Sequence, residues 1–479
     1  MLERLFKLSE SGTTVRTEIT AGITTFLAMA YILAVNPNLL SMTGMDKDAV
    51  FVATALAAAI GCFVMGFLAN YPVAQAPGMG LNAFFTFSVC FGMGYSWQAA
   101  LAAVFCSGVL FILLSLFGIR ELIINSIPKS LRLGISAGIG LFLAFIAAQG
   151  TGLVVDAQGI LVSMGNLAQF PVVMAGLAFF LTVALSVRGV RGATLLVILL
   201  ITTIGLIFTD HEFTGIIGMP PSLAPTFAQL DFSAMYTVTE KNPTTMAAVI
   251  SFATVVFAFL FVDLFDTAGT LVGVAQKADM IKEDGRIPRL GRALIADSTA
   301  TTVGAVLGTS NTTSYVESVA GVAAGGRTGL TAVVVGCLFL VSLFFAPLAG
   351  MIPSYATAGA LFYVAILMMA GLVSVDWRDL TEAAPVVIVA LMIPLTYSIA
   401  HGIVLGFISY TAIKVFSGRA REISVGTWII STVFVLMYLV PYLQKTFFAD
   451  ETVKEAAEAV SMLLPQMGDA SQMIFAAVA

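Results

Sequence analysis

The chain has 479 residues, of which 59% are hydrophobic and 10% are charged, and its formal net charge is −5. Its mean hydropathy is +1.00, and because soluble domains carry about 25% charged residues, this composition excludes a soluble globular protein and indicates a polytopic membrane protein. The four cysteines lie in apolar segments without CxxC spacing and there are only two histidines, so we predict no disulfide framework, no metal site and no cofactor.

Hydrophobic segments follow one another along the chain and form two groups of seven. The first seven lie at about 17–40, 50–69, 74–92, 97–118, 130–153, 170–187 and 191–209. A more polar stretch follows at about 210–244. The second seven segments lie at about 245–275, 291–307, 309–324, 328–349, 355–374, 383–398 and 400–418. Since a spanning helix needs about 20 apolar residues, the sequence predicts a first seven-span repeat over 1–235 and a second one over 236–420.

The end of the chain, 421–479, lies outside this pattern. The apolar run "VGTWIISTVFVLMYLVPYL" at 425–443 is interpreted either as an additional span or as an interfacial helix. The tail that begins at Lys445 is predicted to be amphipathic and peripheral.

Basic loops alternate with loops that hold almost no Lys or Arg. The basic ones lie near the N-terminus and at 120–132, 188–191, 277–292 and 414–421, and the predicted spans place all of them on one side. The positive-inside rule therefore puts the N-terminus in the cytoplasm. An odd number of spans in each half gives the two halves opposite topology, as in inverted-repeat transporters.

The third segment of each half differs from an ordinary spanning helix. In "ANYPVAQAPGMGLNAFFTF" Pro72 and Pro77 remove backbone donors, and in "VLGTSNTTSYVESVAGVAAGG" the hydroxyl-rich run favours extended chain or helix caps. We predict that each segment forms a short extended piece followed by a half-helix. Such backbone is tolerated at membrane depth only inside protein or beside a watery cavity, where two half-helix N-termini would offer N–H groups to a ligand.

Acidic residues stand at membrane depth in the second half. Asp263 and Asp266 lie in "AAVISFATVVFAFLFVDLFDTAGTLVGVA", and Glu317 lies where the second half-helix should begin. A carboxylate there costs at least about 2.5–3.5 kcal/mol, and two carboxylates on roughly one helix face do not both ionise easily, which suits proton uptake and release. The alternatives are a structural, hydroxyl-capped pair and a plain helix-start Glu. Asp297 is interpreted as a structural anchor rather than as a proton relay.

The two irregular segments also supply candidate substrate contacts. The amide of Asn82 offers both a donor and an acceptor to a heterocycle edge, with a core role in backbone bonding as the alternative. Gly80 is expected to allow close backbone approach, and Phe84 to stack on a flat ring. Thr313 and Ser314, in the hydroxyl-rich run, complete the predicted substrate contacts.

Five motifs in this order are familiar from one family. They are "TTVRTEITAGITTFLAMAYILAVNP", "APGMGLNAFF", "DLFDTAGTLVGVA", "GTSNTTSYVES" and "GGRTGLTAVVVG". Together they resemble the azaguanine-resistance-type purine permeases of the nucleobase–cation symporter-2, or nucleobase–ascorbate transporter, family, and the likeness covers about 3–420. The resemblance implies fourteen spans in two inverted repeats, arranged as a core and a gate domain, with short strands in segments three and ten.

The resemblance further implies a purine substrate that enters with protons while the core moves against the gate like an elevator. The family's binding residues match Gly80, Asn82, Asp263, Asp266 and Glu317, of which the three acids are the candidates for proton coupling. The expected protein is an importer of guanine, hypoxanthine or adenine in the bacterial inner membrane. It is expected to be no enzyme, to bind no nucleic acid, and to form a homodimer, as family members often do.

Two other interpretations stay open at this point. The first is another substrate, such as uracil, xanthine or an anion, on the same fold; an anion carrier should show a cation near the half-helices, and none lies in 74–92 or 309–324. The second is an intramembrane aspartyl protease, whose usual pattern has two acids on separate helices and a GxGD motif. Asp263 and Asp266 lie on one predicted helix, and the chain contains no GxGD.

Overall fold

The computed structural model describes residues 2–117, 127–157, 159–209, 213–237, 245–280 and 287–443. The helices are α1 (Leu2–Phe6), α2 (Val15–Met29), α3 (Ile32–Leu40), α4 (Lys47–Val64), α5 (Met79–Ala83), α6 (Trp97–Leu116), α7 (Lys129–Thr151), α8 (Phe170–Val187), α9 (Ala193–Phe208), α10 (Thr245–Lys277), α11 (Leu290–Leu307), α12 (Ser318–Ala323), α13 (Gly329–Ser342), α14 (Ala346–Gly350), α15 (Ser354–Met369), α16 (Leu380–Leu395), α17 (Ile399–Phe416) and α18 (Val425–Leu443). The strands are β1 (Gln75–Pro77), β2 (Val154–Ala157), β3 (Leu161–Met164) and β4 (Thr312–Ser314). The π-helical segments Met65–Ala69 and Phe84–Gly92 extend α4 and α5.

The fourteen predicted segments all coincide with elements of this structure. Within the described ranges, nine helices are long and apolar enough to cross a membrane, and shorter apolar helices occupy the predicted third, seventh and thirteenth segments. The ninth segment is the helix α11, and the tenth is a strand followed by a short helix. The run at 425–443 is helical, whereas the predicted amphipathic tail from Lys445 lies outside the described residues.

Helix starts follow local sequence signals. Asp46 caps α4 by accepting a hydrogen bond from Ala49 N at 2.8 Å, and Ser96 caps α6 in the same way from Ala99 N at 3.2 Å. These side chains satisfy backbone donors that a helix leaves unpaired in its first turn. The first predicted segment is interrupted after α2, and Tyr31 lies at the interruption.

The two irregular segments pair with each other. β1 and β4 are antiparallel, with Gln75 opposite Ser314 and Pro77 opposite Thr312. The pairing continues outward, because Gly78 N donates to Asn311 O at 2.9 Å and Tyr315 N donates to Ala74 O at 2.9 Å. Helix α5 follows β1 directly, and α12 follows β4 after a short turn. The prediction of an extended piece followed by a half-helix in segments three and ten is therefore confirmed.

The chain divides into two compact units, Met1–Gly406 and Phe407–Ala479. Within the first unit, α7 packs against α15 and α16, and α8 packs against α15. A second group of helices in that unit joins α11 to α4 and α6, α13 to α2 and α4, α10 to α6, and α12 to α2; β1 and β4 pack against this group. The first group corresponds to the expected gate and is called the gate group. The second corresponds to the expected core and is called the core group. In the second unit the hydroxyls of Thr411 and Ser431 lie 2.7 Å apart.

Gly66 and Gly329 permit a close helix contact in the core group. A Cβ atom on Gly329 would lie 2.1 Å from the carbonyl oxygen of Gly66, and Gly329 N donates to Asn70 Oδ1 at 2.7 Å. We expect Gly329→Val to destabilise the protein by roughly 3 kcal/mol or more, since overpacking a fixed backbone contact forces the helices apart. Thermal unfolding of the purified protein measures the loss. Gly150→Val is the control, because no atom lies within 4 Å of a Cβ there; equal melting of the two variants would contradict the packing argument.

Candidate functional site

A cavity of about 250 Å³ lies in the first unit, between the two groups of helices. One wall comes from Gly78 and the start of α5, from α10, and from the end of β4 and the turn that follows it; the other comes mainly from α7 and α15. The polar and charged side chains that border it are Arg132, Ser136, Asp266, Thr270, Ser314, Tyr315 and Glu317. Most of the remaining lining is glycine or apolar, as in sites that bind small organic molecules.

Glu317 stands at the start of α12 and is half-buried against the cavity. Its Oε1 accepts a hydrogen bond from the hydroxyl of Tyr31. Tyr31 is only 2% exposed and comes from the interruption between α2 and α3. The first segment therefore reaches the site through a residue that the sequence alone does not single out, because a lone tyrosine in an apolar segment carries no distinguishing signal.

Asp266 reaches the same cavity from the middle of α10. Its Oδ2 accepts a hydrogen bond from the hydroxyl of Thr313, in the centre of β4, at 3.1 Å. Like Glu317, Asp266 is half-buried rather than enclosed. The two carboxylates thus border one cavity, and the segment from β4 to α12 contacts or carries both of them.

Asp263 and Asp297 lie behind this wall, and both are completely buried. Asp263 accepts hydrogen bonds at 3.3 Å from the hydroxyls of Thr267 and Thr301 and from the amide of Asn311. Neither acid borders the cavity. The side chain of Asp263 is therefore directed to the packing between α10, α11 and the strand segment, while that of Asp266, three residues later, faces the cavity.

Asp297 connects the two strands to the helices. Its Oδ1 accepts from the backbone N and the hydroxyl of Ser314, both at 3.1 Å, and from Nε2 of Gln75 at 3.3 Å. The hydroxyl of Thr267 lies 2.9 Å from both of its oxygens. One carboxylate thereby binds β1, β4 and α10 from its place on α11, which is the arrangement expected of a structural anchor.

The remaining predicted contacts divide between the cavity and the packing behind it. Gly80 and Ser314 border the cavity, and a Cβ on Gly80 would lie 2.6 Å from a methyl of Ile139 on α7. Asn82, Phe84 and Thr313 are buried but do not border it. Four of the eight predicted substrate contacts therefore line the cavity: Gly80, Asp266, Ser314 and Glu317.

Two of the inner positions, Asn82 and Phe84, pack behind the cavity wall. Asn82 Oδ1 accepts from the hydroxyl of Ser310, while its Nδ2 is buried without a partner in the described part of the chain. The ring of Phe84 packs edge-on against that of Phe259, with centroids 5.0 Å apart. At the cavity itself the structure adds Tyr315, which is buried and whose hydroxyl donates to Pro77 O.

The lack of Lys and Arg in the two irregular segments does not leave the cavity without a cation. Arg132 of α7 borders the same cavity as the two carboxylates. Sequence distance concealed it, because α7 meets the strand-bearing segments only through tertiary packing. No group of three His, Cys, Asp or Glu side chains suited to a metal ion is found in the residues that the structure describes.

Comparisons with known proteins give a consistent result. A family model described as "Permease family" matches residues 16–405. The chain is 46% identical over 436 residues to the adenine permease AdeP of Escherichia coli, covering 91% of this chain and 95% of that protein. It is 47% identical over 450 residues to the guanine/hypoxanthine permease PbuG of Bacillus subtilis, covering 91% and 99%.

Among solved structures, the transmembrane domain of a cyanobacterial bicarbonate transporter, BicA, is similar with a TM-score of 0.59. The identity is 16%, and the likeness covers 81% of this chain and 97% of that one. At this identity the likeness concerns the fold alone. It confirms the predicted class, an all-α polytopic membrane protein of two inverted repeats with short strands in segments three and ten.

Proposed function

The chain belongs to the permease family known as the nucleobase–ascorbate transporters, and it is not an enzyme. On that premise we propose that it is a proton-coupled importer of purine nucleobases. The relatives named above as adenine and guanine/hypoxanthine permeases support this substrate class. The same matches give no support to an intramembrane aspartyl protease. We place the protein in the bacterial inner membrane with a cytoplasmic N-terminus and a homodimeric assembly, as the loop charges and the family resemblance favour.

One observation carries the proposal. The carboxylates of Asp266 and Glu317 come from different elements and border one small, otherwise mainly apolar cavity. Ionised carboxylates only accept hydrogen bonds, and a purine presents ring or exocyclic N–H donors along its edges. A flat base held between apolar surfaces, with its N–H groups directed at these two acids, satisfies both the shape and the polarity of the cavity.

Proton coupling follows from the cost of moving these charges. Two ionised acids that are each held by a single neutral hydroxyl are unfavourable in a site that closes off from water. A proton taken up by Asp266 or Glu317 from the outside lowers that cost and lets the purine-loaded site close. An elevator-like movement of the core group against the gate group would then carry base and proton inward, where both leave.

Uptake by the purified protein in liposomes tests this function. We expect an inward proton gradient to drive accumulation of labelled hypoxanthine or adenine, and a protonophore to abolish it. Competition by unlabelled adenine, guanine, xanthine and uracil ranks the substrates. Accumulation that follows a sodium gradient would contradict proton coupling. Uptake of labelled uracil or xanthine without uptake of labelled adenine or hypoxanthine would assign the alternative substrate.

A further inference from the structure

Arg132 borders the cavity from the wall opposite the two acids. It lies in the first turn of α7 and is half-buried, and it is the one Lys or Arg among the described residues that line the cavity. Its Nε is buried and has no hydrogen-bond partner in the described structure. An unpaired buried donor costs free energy, so its position calls for a ligand or a structural reason.

Helix stability does not supply that reason. A cation in the first turn of a helix opposes the helix dipole, whose positive end lies there. The positive-inside rule explains basic residues near the ends of spans, and Lys129, one turn earlier on the same helix, is exposed as that rule expects. Arg132 instead is half-buried and borders the same cavity as Asp266 and Glu317.

The two walls offer complementary hydrogen-bonding groups. A guanidinium only donates, in a planar fork, whereas ionised carboxylates only accept. A purine carries N–H donors on one part of its rim and ring-nitrogen acceptors on another, and arginine pairs with the N7 edge of a purine base in nucleic-acid recognition. Adenine, guanine and hypoxanthine share these ring-nitrogen acceptors, so a donor aimed at them does not depend on the exocyclic group.

We propose that Arg132 binds the substrate by donating to a ring-nitrogen acceptor of the purine, while Asp266 and Glu317 accept from its N–H groups on the opposite wall. This inference rests on the proposed function and adds to it a substrate contact from the gate group. It also makes the complete site depend on both groups of helices, because the acids stand on the core group and the guanidinium on the gate group.

Binding measurements on two variants test the contact. Arg132→Gln should weaken the affinity for both hypoxanthine and adenine by about 10- to 100-fold, the usual effect of losing a hydrogen bond to a charged group. Lys129→Gln, which removes an exposed cation from the same helix turn, should leave both affinities within about twofold. Arg132→Lys keeps the charge but loses the fork, so it should recover only part of the affinity.

Ring analogues identify the acceptor. The wild-type protein should bind either 7-deazahypoxanthine or 3-deazahypoxanthine more weakly than hypoxanthine, and the Arg132→Gln and Arg132→Lys variants should lose that discrimination. Unchanged affinity in Arg132→Gln, or full discrimination retained in both variants, would overturn the inference. A wild-type protein that binds no purine would instead overturn the proposed function, so the two failures are distinguishable.

Discussion

Replacing Glu317 by Gln is expected to abolish proton-driven accumulation of purine while leaving the protein folded. Glutamine has nearly the same shape and keeps a carbonyl oxygen that accepts from the hydroxyl of Tyr31, so the contact observed at the start of α12 survives. The amide cannot take up and release a proton, and it replaces an acceptor with a donor toward the substrate's N–H groups. Uptake into liposomes under an imposed proton gradient measures the effect, with thermal unfolding as the check on folding.

Glu382→Gln is a matched control for this variant. Glu382 also accepts a hydrogen bond from a hydroxyl, that of Ser130, but it does not border the cavity. We expect Glu382→Gln to retain concentrative uptake. Asp266→Asn should behave like Glu317→Gln, because Asp266 is the second carboxylate at the cavity. Normal proton-driven uptake in both cavity variants would rule out the assigned coupling residues.

Replacing Asp297 by Ala should have an equally large effect on uptake by another route, the loss of the folded site. The carboxylate accepts from Ser314 N and Oγ and from Gln75 Nε2, and it is completely buried. Its removal leaves several buried donors without an acceptor, so we expect a loss of roughly 3 kcal/mol or more in unfolding free energy. The melting temperature and the yield of monodisperse protein report it.

Ser314→Ala provides the comparison for Asp297→Ala. It removes one hydroxyl donor but keeps the backbone bond to Asp297, so we expect a cost of only about 1 kcal/mol. Melting and uptake together separate the role of Glu317 from that of Asp297. The Glu317→Gln variant should melt normally and fail to accumulate substrate, whereas the Asp297→Ala variant should melt at a lower temperature. An Asp297→Ala protein with normal melting and normal purine binding would contradict the anchoring role.

Much of the fold could be predicted from the sequence because the membrane imposes simple length and polarity rules. Segments of about 20 apolar residues had to become spans, and Pro72, Pro77 and the hydroxyl-rich run had to interrupt two of them. The partner of each interrupted segment was harder to identify, although pairing them with each other satisfies the backbone groups of both. The repeat boundaries at about 235 and 420 and the orientation in the membrane stay predictions.

The site could be predicted only in part, for geometric reasons. Asp263 and Asp266 share roughly one helix face. Because three positions correspond to a rotation of about 300°, their side chains still point about 60° apart around the helix axis, so one faces packed helices and the other faces the cavity. No sequence pattern decides which. Tyr31 and Arg132 reach the site from distant segments, and such contacts depend on how whole helices pack rather than on local spacing.

The pairing of β1 with β4 also bears on how the protein is made. Gln75 and Ser314 lie 239 positions apart, so during synthesis the third segment enters the membrane long before its partner strand leaves the ribosome. Until then the backbone groups of Gln75–Pro77 lack the hydrogen-bond partners that β4 supplies, at a depth where water cannot replace them. The first repeat therefore cannot reach its final structure alone. Completion of the site therefore has to wait for the tenth segment.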